Sequence, residues 1–383
     1  MGIDPKIPYG RQCIEDDDIA AVAQVLTSAW LTTGPKVTEF EEAVARYVEM
    51  HGAVAVSSGT AALHTAMFAL GIGPGDEVIV PPLTFIATAN AIVYQGGKPV
   101  FADCDPDTLT IDPSMVEALI SPKTKAIIAV DYAGQPCAYD ELRTITDRRG
   151  LVLVADACHA FGAAYKGRRT GSLADLTVFS FHPVKHITTG EGGMAVTNEE
   201  SYLKRMRRFR NHGITHDHIQ RAQQETWYYE MTDLGYNYRL TDFQCALGLN
   251  QLRKLPAWLS RRRSIAHWYD AAFSQMNGIT PLAVRADVAH AYHLYVVRLD
   301  ESLDRGEVFK ALHARGILVN VHYIPVHLHP YYRQRFGTKA GICPAAEAAY
   351  ERILSLPIYP AMSDKDVERV VDAVHAVVEK RRH

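Results

Sequence analysis

Between about residues 53 and 200, short apolar runs rich in β-branched residues alternate with longer segments whose apolar positions recur at helical spacing. Ala53-Val54-Ala55-Val56 leads into a predicted helix over 60–70, and Glu77-Val78-Ile79-Val80 into one over 84–94. Ala126-Ile127-Ile128-Ala129-Val130 precedes a third over 139–149, and the runs 151–155, 176–180 and 194–196 read as further strands. Strand and helix in regular alternation predict an α/β fold whose central, mostly parallel sheet lies between helices. Ligands of such sheets bind at the carboxyl ends of the strands. Beyond residue 200 the regularity loosens into a polar, aromatic stretch over 211–238 and a long helical pattern over 241–275, where Pro256 is expected to break the helix. A strand over 294–299, a helix over 305–315, a strand over 317–321 and helices near 345–354 and 363–380 complete the chain. This tail reads as a smaller C-terminal α+β domain, which divides the chain into 1–250 and 251–383. No internal repeat or low-complexity segment interrupts it.

The composition is compatible with two packed domains: 383 residues, 48% hydrophobic. With 40 Lys plus Arg against 43 Asp plus Glu, no global charge calls for nucleic acid or an anionic membrane. The basic runs at 204–208 and 261–263 read as solvated helix faces. No stretch of about 18 apolar residues is present to span a bilayer. The cysteines at 13, 104, 137, 158, 245 and 343 are scattered without a C-x-x-C pair, which fits reduced thiols in a cytoplasmic protein. Met1 to Pro5 lacks the charged-then-apolar pattern of a secretion signal.

Three motifs follow apolar strands and should therefore share one edge of the sheet: Ser57-Ser58-Gly59-Thr60, Asp156-Ala157-Cys158-His159 and Ser180 through Lys185. A lysine and a carboxylate at neighbouring strand ends suggest pyridoxal phosphate. That cofactor needs an amine to hold its aldehyde and an acid to keep its ring nitrogen protonated. Ser58, Gly59 and Thr60 at a strand-to-helix turn suit a phosphate dianion, although hydroxyl residues also cap helices for structural reasons alone. Lys185, between an apolar strand and the Gly190-Glu191-Gly192-Gly193 turn, is expected to be buried, its pKa lowered by desolvation and nearby positive charge. Glu191 is given no catalytic role.

With these residues in place the chain resembles, over nearly its whole length, the DegT/DnrJ/EryC/StrS family of sugar aminotransferases. The matching motifs are Trp30-Leu31-Thr32-Thr33-Gly34-Pro35, Ser58 to Leu63, Thr84 to Asn90, Asp156 to Ala160, Ser180 to Lys185, and Gly235-Tyr236-Asn237-Tyr238-Arg239. The resemblance implies the aspartate-aminotransferase-like fold (fold type I) and Lys185 and Asp156 as catalytic residues. It also implies that Phe85 stacks on the pyridine ring, that His159 lies near the ring's other face or its 3-hydroxyl, and that Ser180 donates to the phosphate. Asn237 would reach the phosphate of a neighbouring subunit, which makes the expected assembly a homodimer with shared active sites. Tyr9, Trp30, Leu31, Thr32, His322, Tyr323, Ile324, Pro325 and His329 would meet a nucleotide sugar. His322, His327 and His329 could alternatively be read as a metal cluster, but no acidic partner lies nearby in the sequence and no metal is expected.

Cys158 stands where Ala or Ser is more usual, and neither it nor His186 removes a role. A lysine at 185, where a dehydrating branch carries histidine, favours transamination. The wording around 182–193 and the opening Ile7 to Gln12 look most like the branch of pseudaminic acid biosynthesis. This implies transfer of an amino group from L-glutamate to C4 of a UDP-linked 4-keto-6-deoxy-N-acetylhexosamine. Two alternatives remain open: an aminotransferase for a GDP- or dTDP-linked 4-keto or 3-keto sugar, and a catalytically silent binder of sugar nucleotide or pyridoxal phosphate with a regulatory role.

Overall fold

A computed structural model describes residues 5–381. The first four residues, on which the reading of the N-terminus partly rests, lie outside them. A seven-stranded sheet forms the centre: β1 (Gly52–Val56), β2 (Glu77–Val80), β3 (Lys98–Phe101), β4 (Thr124–Val130), β5 (Val152–Asp156), β6 (Leu176–Ser180) and β7 (Gly193–Thr197). Their order is β1-β7-β6-β5-β4-β2-β3. Only β7 is reversed, pairing antiparallel with both β1 and β6, and the other four pairings are parallel. The carboxyl ends of β1, β5 and β6 therefore lie on one edge. Gly193, which faces Val56 on one side and Ser180 on the other, starts β7 at that same edge. Apolar residues fill both faces, Val54, Val78, Ile128 and Val178 on one and Ala55, Phe179, Met194 and Val196 on the other.

A single helix, Asp242–Phe273, joins this unit to the rest. Its first half buries Cys245, Leu255, Trp258 and Leu259 against the large core. Its second half buries Ile265, Tyr269 and Phe273 against a three-stranded antiparallel sheet built from Ile279–Pro281, Tyr295–Leu299 and Ile353–Leu356. Residues 250 and 251 lie inside this helix. Pro256 does not break it, contrary to expectation. The ring lies on the exposed face of the helix. The penalty of about 3 kcal/mol for an interior proline is outweighed by the buried side chains on either side, worth roughly 1.5–3 kcal/mol each.

Four other expectations need correction. The helix placed over 84–94 begins at Ala87, because residues 84–86 form the loop that carries Phe85 to the sheet edge. The strand over 317–321 shrinks to Ile317–Leu318, whose partner is the distant Ile7–Pro8. The helix near 345–354 ends at Arg352, and the chain turns into a strand that borders Tyr295–Leu299. The helices Asp16–Leu26 and Pro35–Tyr47, packed on the long helix, were not anticipated.

The basic runs also divide differently. Lys204 and Arg207 are exposed, as a solvated face requires, but Arg262 is 1% exposed. Its guanidinium donates to the carbonyl oxygens of Tyr292 (3.0 Å), His293 (3.5 Å) and Ile358 (2.9 Å) and so ties the long helix to two segments of the smaller unit. Arg262→Met keeps most of the volume and strands those carbonyls. It is expected to cost about 3 kcal/mol, measured by denaturant unfolding.

All six cysteines are free. Among the described residues no helix is long and apolar enough to cross a membrane.

Candidate active site

The sheet edge opens into a cavity of about 710 Å³. Of the residues singled out above, Tyr9, Ser58, Gly59, Thr60, Phe85, Asp156, His159, Ser180, Lys185, His322 and Tyr323 line it, joined by Thr88, Cys158, His293 and Asn320.

At the end of β1 the chain enters the helix Gly59–Leu70. The Ser58 Oγ accepts the Ala61 N–H at 3.0 Å, so this serine has the capping role that the sequence left open. The first-turn N–H groups of a helix lack intrahelical partners, and here that turn borders the cavity. Glycine is needed at 59 because a Cβ there would lie 2.9 Å from the Ser180 Cβ and 3.3 Å from the Cys158 Sγ. The cradle is thus as narrow as its backbone allows.

Asp156, at the end of β5, is 5% exposed. Its Oδ2 accepts a hydrogen bond from the Thr88 hydroxyl at 2.7 Å and its Oδ1 one from the Cys158 N–H at 3.2 Å. Thr84 lies 2.8 Å behind Thr88, oxygen to oxygen. Thr84, in the loop, and Thr88, in the first turn of the helix that follows, make a short hydroxyl chain that fixes the carboxylate. Thr88 sits in a motif read from the sequence, but its pairing with Asp156 was not anticipated.

Lys185 follows β6 in a tight turn closed by its own N–H to the His182 carbonyl (2.9 Å). It is half-buried rather than buried, its open side being the cavity. Desolvation lowers the lysine pKa, while the negative potential of Cys158 and Asp156 acts in the opposite sense. The positive neighbour expected from sequence is not what lowers it; burial is. The Nζ lies 3.3 Å from the His293 Nε2.

His159 is 6% exposed, and its Nε2 and the Tyr323 hydroxyl are 3.0 Å apart. Burial, and then the charge of Lys185, hold its pKa well below the usual range, so the ring is neutral. Among the described residues its Nδ1 has no partner. The three segments that carry His159, His293 and the turn at 132–135 meet at Gly134, whose φ is +106°. A Cβ there would approach the His159 carbonyl oxygen to 2.8 Å and the Tyr292 nitrogen to 2.9 Å. His322 packs against Tyr9 with ring centroids 5.0 Å apart and shares a 2.8 Å hydrogen bond with Ser355; burial takes its pKa down to about 3.

Seven expected contacts do not line this cavity: Trp30, Leu31, Thr32, Asn237, Ile324, Pro325 and His329. Asn237 is exposed and bridged to Asn211. Pro325 is buried, whereas Trp30, Leu31 and Ile324 are 44%, 49% and 46% exposed. Phe85 reaches the rim with 54% of its surface open. The expectation that the histidine cluster has no acidic neighbour fails in space: Glu347 approaches the His327 Nε2 to 2.8 Å and also accepts N–H groups from Gly341 and Cys343. That arrangement ties a loop. Among the described residues no three metal-ligating side chains converge.

The cavity suits pyridoxal phosphate group by group. It has an amine of lowered pKa, a fixed carboxylate, a helix start with hydroxyls, and a buried imidazole nitrogen without a protein partner. A family model described as the DegT/DnrJ/EryC1/StrS aminotransferase family matches residues 12–375. Among curated proteins the chain is 45% identical over 377 residues to the spore coat polysaccharide biosynthesis protein SpsC of Bacillus subtilis (strain 168), covering 97% of each. Among solved structures, Spr1654 of Streptococcus pneumoniae in its PMP form superposes with a TM-score of 0.93 at 36% identity, covering 98% of this chain and 100% of that one. The same protein has been solved in a PLP form. Helicobacter pylori PseC, an aminotransferase involved in the biosynthesis of pseudoaminic acid, superposes with a TM-score of 0.92 at 33% identity, over 98% and 100% of the two chains.

Proposed function

The chain belongs to the DegT/DnrJ/EryC1/StrS aminotransferase family, and from that premise we propose that it aminates C4 of a UDP-linked 4-keto-6-deoxy-N-acetylhexosamine, with L-glutamate as donor. Its fold is that of the fold type I sugar aminotransferases, and it depends on pyridoxal phosphate. The observation that carries the reading is the placement of Lys185 and Asp156 in one cavity, beside the helix start at Gly59. The likeness to PseC supports the choice of sugar.

When bound, pyridoxal phosphate supplies an aldehyde for the amino group and a ring that accepts the electron pair left by proton removal. Asp156, held by Thr88 and the Cys158 N–H, would keep a positive charge on the ring nitrogen. Ser58, Gly59, Thr60 and Ser180 would hold the phosphate, and Phe85 and His159 would hold the ring. Lys185 would hold the aldehyde carbon. Its neutral amine would remove the proton from the donor Cα and, in the second half, deliver a proton to C4 of the sugar. Tyr9, His322 and Tyr323 meet the sugar nucleotide from inside the cavity. Trp30, Leu31, Thr32, Ile324 and His329 extend that surface beyond it, whereas Pro325 is buried and adds nothing to it.

Asn237 completes the phosphate site of a second copy of this chain. Its exposure and its absence from its own cavity fit that role, as do its apolar neighbours Leu234 and Tyr236, which are 74% and 41% exposed.

The higher identity to SpsC favours a second reading, a different nucleotide-linked keto sugar. Incubation with amino-¹⁵N-labelled glutamate and a panel of UDP-, dTDP- and GDP-linked keto sugars decides between them. The proposal expects ¹⁵N at C4 of the UDP-linked sugar. Label only on a dTDP- or GDP-linked sugar would overturn it in favour of the second reading.

A further inference from the structure

The Lys185 amine rests against an imidazole: its Nζ is 3.3 Å from the His293 Nε2. His293 comes from the smaller unit, two residues before the strand Tyr295–Leu299, and is 4% exposed. Its backbone is held on several sides. Arg262 donates to the carbonyls of Tyr292 and His293, the Leu294 N–H bonds the Ala133 carbonyl at 3.1 Å, and the Ala291 N–H bonds that of Gly134 at 2.9 Å. The ring lies between His159 and His186, with centroids 4.4 and 5.7 Å away, and among the described residues its Nδ1 has no partner. Burial and the charge of Lys185 keep it uncharged.

An immobilised neutral imidazole beside an amine can accept one of that amine's N–H bonds while leaving its lone pair free. Building on the transamination proposed above, we propose that His293 is a positioning residue: its Nε2 receives the Lys185 amine each time that amine is released and holds the lone pair toward the reacting carbon. No proton passes to His293; the amine takes up the substrate proton and returns it, and the hydrogen bond only restricts where the amine can go. A flexible four-carbon side chain needs such a stop, since small misplacements of a reacting group cost on the order of 10²-fold in rate.

The test compares His293→Leu with His293→Gln, which retains an acceptor. In the cofactor-loaded enzyme His293→Leu should lower kcat on the order of 10- to 100-fold, leave both KM values nearly unchanged and raise the isotope effect with [2-²H]glutamate, and His293→Gln should recover most of the loss. A second readout needs no turnover. In the apoprotein, the rate at which fluorodinitrobenzene labels Lys185 is followed by peptide mass spectrometry over a pH series. Loss of the acceptor removes a hydrogen bond that favours the ammonium form, so the apparent Lys185 pKa should fall further in His293→Leu and stay near wild type in His293→Gln. An unchanged Lys185 labelling profile in His293→Leu, or a loss confined to KM, would overturn the proposal. If wild-type protein transaminates no keto sugar while the labelling still depends on residue 293, the functional reading fails and the contact stands.

Discussion

Lys185→Ala is expected to lower turnover with glutamate and a keto sugar nucleotide by on the order of 10⁴-fold or more, because one side chain both anchors the aldehyde and moves the proton in each half-reaction. The fold should survive. The side chain lines a cavity and is half-buried, so its loss enlarges an opening already present. Lys185→Arg should be nearly as inactive, since a guanidinium stays protonated and cannot act as the base. Steady-state kinetics with circular dichroism as the folding control measure this, and a folded alanine variant turning over near the wild-type rate would refute the role. The sign of the pH dependence follows from burial, which lowers the lysine pKa. The amine is therefore neutral at lower pH than a free lysine would be. Activity should persist into that range and fall when acidification protonates it.

Asp156→Asn should be the second most damaging change, lowering kcat by on the order of 10³-fold, comparable to removing a preorganised electrostatic contact in other enzymes. The amide oxygen can still accept the Thr88 hydroxyl, so the surroundings are preserved and only the charge goes. Without that charge the ring nitrogen loses its proton and the ring becomes a poorer acceptor of the electron pair. Binding of pyridoxal phosphate, followed by titration of the apoprotein, should weaken less than turnover. Equal losses in both would point to a role in holding the cofactor alone.

The buried strands were readable because parallel strands covered on both faces must be apolar throughout, and 77–80 and 176–180 are observed with the bounds their sequence implies. From strand order follows the shared edge of Ser58, Asp156 and Ser180. Features set by distant partners were hidden. The strand at 317 is short because, among the described residues, its ladder is the two-residue pairing with Ile7–Pro8, and Arg262 resembles a solvated arginine until three carbonyls converge on it. His293 carries no motif of its own, and its contact with Lys185 spans 108 positions in the chain. Pro256 shows the opposite limit: the rule for proline is local, and burial on both sides of it outweighs the rule. A signal for the first helix was present, since the Glu15 N–H donates to the Asp18 carboxylate at 3.0 Å at the start of the acidic run Glu15 to Asp18.

Lys185 itself provides the most direct test of the account. Protein loaded with pyridoxal phosphate is reduced with borohydride, digested and mapped by mass spectrometry, alongside a sample first incubated with glutamate. One phosphopyridoxyl group is expected on the Nζ of Lys185 in the untreated protein, with its loss from that peptide and release of 2-oxoglutarate after glutamate. A label on another lysine, or a Lys185 label that glutamate leaves untouched, would contradict it.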